Sequence, residues 1–472
     1  MNQSRRGFLQ TAGLVTVGFG GLRLASADPT AVSAMIATGG LGHGPLIPDP
    51  KGVLDLPAGF AYAIIARQGA TMSDGFIVPS RPDGMAAFPG RNGTTVVVCN
   101  HELNPAHSAD GPFGKDFSLL GKLASESIYD MGGGRPAGGG TTSIVYDTRS
   151  GKVLEHRLSL AGTLRNCAGG PTPWNSWITC EEIVLDEGDD VGGMKIQKAH
   201  GYNFEVPAWL GRGLAAPVPL KAMGRFNHEA VAVDPHSGIV YQTEDVGDGL
   251  IYRFLPDQPG ALAKGGRLQA LAVKGQKSLD TRNWESATVA VGEAMEVEWI
   301  EMDNVEAPED DLRLRGFAAG AARFARGEGM WYGRDAVYFA CTNGGARKKG
   351  QVWRYIPSSD EGLSGESSNP GKLELFVEPN DGKIVDNADN LTIAPWGDVL
   401  VVEDGAGPDQ FLLGITPAGK VYRLGRNAIS DSEMAGPCFS PDGSTLFVNI
   451  QGDGLTLAIT GPWQPGKDAM RG

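Results

Sequence analysis

The sequence predicts an all-β protein, a six-bladed β-propeller with loop insertions, and three observations carry that prediction. Short runs of Val, Ile, Tyr, Phe and Trp recur between Asp-Gly, Ser-Gly and Pro-x-Gly turns, in a chain of 472 residues holding 69 Gly and 30 Pro. Runs of that length and composition, bounded by turn residues, read as strands rather than helices. One strand–turn–strand unit, sharing one polar pattern, aligns six times along the chain. Repeats of this kind bury their faces only by packing on one another, as the blades of a propeller do.

The units follow in order. The first covers residues 83–88 and 96–102, and the second covers 166–174 and 177–182. The third runs through 229–238 into 239–245 and then 249–254, and the fourth through 328–335 and 336–343 to 350–355. The fifth comprises 389–398, 399–404 and 419–424, and the sixth 433–443 and 444–449. Where a third strand is readable it has the form Gly-x-Ile/Val-Tyr/Trp-Arg followed by an aromatic or Leu. Trp174, Trp177, Trp331 and Trp353 read as packing residues of the blades.

Ahead of these units, Ser4-Arg5-Arg6-Gly7-Phe8-Leu9 places a twin arginine before a short apolar run over 14–22, and Ala25-Ser26-Ala27 follows. A basic start, an apolar stretch too short to span a bilayer and a small-residue cleavage site make an export signal. The arginine pair points to the twin-arginine route. The expected organisation is a signal peptide over 1–27 and one propeller domain over 28–472. The twin-arginine translocase is then a partner during export, and the mature protein is periplasmic or secreted with no membrane span.

Loss of Arg5, Arg6 and Arg23, with no acid, takes the formal charge from −14 to −17. An excess of that size repels phosphate backbones and disfavours nucleic-acid binding. Five cysteines, Cys99, Cys167, Cys180, Cys341 and Cys438, are too few and too scattered for a disulfide framework or a zinc ribbon.

Within each hairpin the start of the first strand and the end of the second are neighbours at its open end. In a propeller those open ends converge on one face. They carry Asp83, Glu102, Glu181, Glu182, Glu229, Glu244, Asp245, Glu328, Asp389, Glu403, Asp404 and Glu433. Two such charges ~4 Å apart repel by about 1 kcal/mol even in water and by more near a protein surface. So many acids on one face must protonate, stay apart or bind cations, and oxygen donors select hard ions. Cys180, beside Glu181 and Glu182, reads either as a small buried hydrophobe or as a soft ligand for a transition metal. The other four cysteines read as core or turn residues. Arg326 precedes Glu328 and suits either a fork onto phosphate or a salt bridge to a neighbouring acid. His101 and His228, each in Asn-His-Glu, suit support of neighbouring carboxylates.

Several of these segments together resemble the PhoX family of bacterial alkaline phosphatases. They are the signal Ser-Arg-Arg-Gly-Phe-Leu, Cys-Asn-His-Glu at 99–102, Pro-Trp-Asn-Ser-Trp-Ile-Thr-Cys-Glu-Glu at 173–182, Gly-Arg-Phe-Asn-His-Glu-Ala at 224–230, Ala-Arg-Gly-Glu-Gly-Met-Trp at 325–331, and Asp389-Asn390. The resemblance implies an exported six-bladed propeller that hydrolyses phosphate esters with a cluster of Fe3+ and Ca2+. By motif it implies that Cys180 bridges the irons and that Glu229 and Glu328 are core ligands. It implies Glu102, Glu181, Glu244, Asp389 and Glu403 as further ligands, and Arg326 as the grip on the substrate phosphate. A second phosphate-binding arginine has Arg135, Arg165 and Arg225 as candidates. The other readings are a calcium-dependent, lactonase-like hydrolase and a calcium-stabilised binding propeller without catalysis.

Overall fold

A computed structural model describes residues 41–463 apart from 210 and 212. The expected signal peptide lies outside the described residues. The architecture is a β-propeller, and among the described residues Leu312–Ala319 is the one α-helix. No helix there is long and apolar enough to cross a membrane.

The expectation of six separate blades is corrected by the strand pairing. Four sheets contain four or more strands, not six: one of ten, one of six and two of four. A three-stranded sheet lies between the first four-stranded sheet and the ten-stranded one. The ten-stranded sheet arises from an inserted strand, Ala294–Glu301. It pairs with Gly266–Val273 along one edge and Lys372–Val377 along the other. Two sheet edges that the repeat pattern treats as separate are thereby joined, which also removes two exposed edges. Both ends of this long sheet, His228–Val233 and Gly327–Gly333, reach the axis.

The fifth unit differs as well. Its third strand is Phe411–Ile415, and the Gly-Lys-Val-Tyr-Arg-Leu segment that resembled a third strand forms the fourth, Val421–Asn427. N-terminal strands complete two C-terminal sheets. Leu54–Pro57 pairs with Val421–Asn427, and Ala61–Arg67 pairs with Leu455–Thr460. Both ends of the described residues are thus stitched into the ring.

The axis is lined by Pro82–Pro89, Asn166–Pro171, His228–Val233, Gly327–Gly333, Ala388–Ile393 and Met434–Phe439, each packed on the next and the last on the first. Backbone meets backbone there. A Cβ on Gly170 would lie 2.0 Å from the Val231 carbonyl oxygen, and one on Gly329 would lie 2.5 Å from the Asn390 Cα. Glycine at these positions is what lets the strands approach so closely. Trp177 and Trp353 are buried within sheets as expected, but Trp331 is different. It packs against three separate apolar clusters and, with Met330, lines a small cavity between the axial strands.

Candidate metal centre

Each axial strand breaks register close to its start: between Pro82 and Met85, Asn166 and Gly169, His228 and Val231, Gly327 and Met330, Ala388 and Leu391, and Ala435 and Cys438. A bulge leaves residues unpaired, bends the strand and re-aims their side chains. The residues so released include Asp83, Cys167, Glu229, Glu328 and Asp389. A second device recurs beside the bulge. The carbonyls of Arg81, Arg165, Asn227, Arg326, Asn387 and Glu433 accept from the N–H groups of Glu102, Glu182, Asp245, Thr342, Asp404 and Gln451, at 2.9 to 3.2 Å. This bond pins the residue after the second strand beside the bulge of the first.

Three groups of donor atoms result, each with all its atoms within 4.8 Å of one another. They are Cys167, Glu182 and Glu229; Asp83, Glu102 and Glu433; and Glu229, Glu328 and Asp389. Glu229 belongs to two of them. Burial, reinforced by neighbouring acids, pushes Asp83, Glu182, Glu229, Glu328 and Glu433 well above the ordinary carboxylate range. For the same reasons Asp389 rises to about 7, and burial and then Glu229 hold the Cys167 thiol up. Positive charge also enters this field. Arg326 Nε donates to Asp245 Oδ1 at 2.8 Å, and its Nη2 donates to Asp245 Oδ2 at 2.6 Å and to Glu328 Oε1 at 2.8 Å.

Of the residues expected to bind metal, Glu102, Glu229, Glu328 and Asp389 are brought together. Glu181, Glu244 and Glu403 are not, because each is tied into its own loop. Glu181 accepts from the Leu164 N–H and faces His200. Glu244 accepts from the Leu250 N–H and the Tyr252 hydroxyl, and Glu403 from the N–H groups of Asp386 and Phe411. Their immediate successors Glu182, Asp245 and Asp404 stand at the axial face instead. Successive side chains of a strand point to opposite sides, so only one of each acidic pair can face the axis.

Cys180 likewise lies outside the three groups. It is wholly buried among Ile178, Val231 and Phe254. The cysteine at the centre is Cys167, whose thiol also reaches the backbone oxygens of His228 and Glu229 at 3.4 and 3.6 Å. Its signal in the sequence was its place at the start of the second unit, aligned with the acids that open the others. His101 is held by Ser80 and Thr142, and His228 stacks on Phe226, so both are packing residues of this face.

His200 was not singled out by the sequence. It is buried between Glu181 at 2.6 Å and Asp130 at 3.2 Å. Burial opposes its charge, but the two carboxylates outweigh that and raise its pKa from 6.5 to about 9. Its stabilising effect is therefore complete below pH 6.5 and is lost as pH rises through about 9. His200→Ala should cost about 3 kcal/mol at pH 6, because two buried acids lose their partner. Urea unfolding of both proteins at pH 6 and pH 10 should show the gap narrowing at the higher pH.

The donor set suits bound cations. Carboxylate oxygens from separate strands converge under conditions where burial and mutual repulsion oppose their ionisation, and multivalent positive charge removes both penalties. The Cys167 sulfur beside Glu182 and Glu229 adds a soft donor, which favours a transition metal in that group, whereas the all-oxygen groups favour hard ions.

No match is found among curated protein sequences. The fold is similar to that of Pseudomonas fluorescens PhoX in complex with vanadate, a transition state analogue, with a TM-score of 0.63 and 18% identity over 87% of this chain and 96% of that one. A gluconolactonase from Xanthomonas campestris aligns at a TM-score of 0.39 and 10% identity, over 90% of this chain and 99% of that one. The family described as alkaline phosphatase PhoX matches residues 41–150 and 136–454. With a match over most of its length, the chain belongs to the PhoX family of alkaline-phosphatase-like hydrolases.

Proposed function

We propose that this protein is an exported phosphatase that hydrolyses phosphate esters at the axial face of the propeller, using a cluster of Fe3+ and Ca2+. Family membership supports the reaction class. The observation that carries the assignment to this face is the bond from Arg326 to Glu328, a member of the Glu229–Glu328–Asp389 donor group. Residues 28–472 form the mature protein on this reading, delivered by the twin-arginine route that carries folded proteins.

Cys167, Glu182 and Glu229 would hold iron, and the Asp83 and Glu328 groups would hold the harder ions. The ions would supply Lewis acidity and an activated nucleophile for phosphorus. The chain's own contribution begins with orientation. Asp245 grips Arg326 through two parallel bonds, and Glu328 accepts from the same Nη2, so the guanidinium is aimed before substrate arrives. An arginine held this way can neutralise charge on phosphoryl oxygens without reorganising during the reaction.

Elemental analysis of protein exported by a host with a twin-arginine pathway, combined with turnover of an aryl phosphate, tests the reading. Iron with calcium and chelator-sensitive hydrolysis are expected. Protein that carries calcium alone and leaves the ester intact would overturn it.

A further inference from the structure

Arg165 occupies the same place in its repeat that Arg326 occupies in its own. Each leads directly into an axial strand, and each carbonyl accepts the N–H of the residue that follows the second strand. Each also holds left-handed backbone, with φ of 43° and 54°. That conformation is uncommon for a long side chain and persists only where the surroundings enforce it. Arg165 Nε donates to Glu102 Oε1 at 3.0 Å, and its Nη2 donates to Glu182 Oε2 at 2.7 Å. Glu182 in turn lies against Asp245, the residue that grips Arg326. Arg165 therefore bonds the Cys167–Glu182–Glu229 group directly, Arg326 adjoins it through Asp245, and their side chains are equally open to solvent, at 35% and 36%. The other arginines considered are committed elsewhere. Arg135 binds the carbonyls of Ala106, Gly192 and Gly193, and Arg225 is buried against His200, Leu185 and Asp186.

We propose that Arg165 is a second substrate-binding residue, forming with Arg326 a two-armed clamp on the phosphoryl group. This rests on the phosphatase reading above. A phosphoryl group presents several oxygens around phosphorus, and two planar guanidiniums at one acidic face can each take a different oxygen. Cations that draw charge from Glu102 and Glu182 would loosen their hold on Arg165 and leave its N–H groups available to the anion.

The test uses the metal-loaded mature protein, its Arg165→Ala and Arg165→Lys variants, and Arg165→Gly, which removes the side chain while easing the backbone. Inorganic phosphate binding is measured by titration calorimetry, aryl phosphate turnover by steady-state kinetics, and metal content by elemental analysis. Arg165→Ala and Arg165→Gly should both weaken phosphate binding about tenfold or more, the usual effect of losing charge-assisted hydrogen bonds. Both should raise KM, with the metals retained, and Arg165→Lys should recover part of the loss. Phosphate binding within twofold of wild type in the Ala and Gly variants would overturn the clamp. Metal loss in both would also overturn it, since Arg165 would then hold the carboxylates rather than the substrate. A wild-type protein that binds phosphate through Arg165 yet hydrolyses no ester would refute the phosphatase reading and keep the clamp. One that binds no phosphate would refute both.

Discussion

Replacing Glu229 by Gln is expected to strip metal from two donor groups at once and to reduce phosphate-ester turnover by at least ~100-fold. Glu229 is the residue common to the Cys167–Glu182–Glu229 and Glu229–Glu328–Asp389 groups. Changes to residues that merely support metal ligands already cost about 10- to 100-fold, so loss of a shared carboxylate should cost more. Elemental analysis and kinetics read this directly. Metal-free protein should respond in the opposite sense. Its Glu229 is buried and faces Asp389, which pushes its pKa well above 4.5. A carboxyl raised in this way does no harm below pH 4.5 and destabilises the fold increasingly as the pH climbs above it. Glutamine carries no charge to bury, so the metal-free variant should melt higher than metal-free wild type at pH 7. A variant that keeps its metals and melts no higher would contradict the shared-ligand role.

Cys167→Ser and Cys180→Ala should separate the two cysteines cleanly. The serine variant loses the only sulfur within the three donor groups. Its iron content and any thiolate-to-iron absorption in the visible range should fall with its activity, again by about 100-fold or more. Cys180→Ala removes one buried sulfur from an apolar cluster. The expected cost is about 1–2 kcal/mol of stability, seen as a lower denaturation midpoint, with kcat and metal content kept. If the Cys180 variant instead lost iron while the Cys167 variant kept it, the assignment of the central sulfur would be reversed.

These two cysteines show how much of the centre was legible beforehand. The segments around 99–102, 173–182, 224–230, 325–331 and 389–390 do assemble at one face, and the axial carboxylates do meet there. Glu102, Glu229, Glu328 and Asp389 were identifiable because they begin or follow strands that the repeat pattern located. Glu181, Glu244 and Glu403 cannot be told apart in the sequence from Glu182, Asp245 and Asp404, which share the same open ends. Neighbouring residues of the same charge look alike in a sequence, and a strand alternates their direction. Cys167 is not legible as a donor because Asn-Cys-Ala-Gly-Gly reads as a turn, whereas the bulge between Asn166 and Gly169 turns it toward the axis.

The sequence by itself determined that the chain is all-β and repetitive, that its acids gather on one face, and that it has the features of the PhoX family. Those properties are local, residing in turn residues, strand composition and motifs that can be read without knowing what packs on what. The tertiary structure alone decided how the sheets join, because Ala294–Glu301 finds partners on both edges only once distant segments are adjacent. It also decided which member of each acidic pair faces the axis. That direction is set where the residue after each second strand is tied back to the start of its axial strand, and such a bond exists only once the two strands are paired.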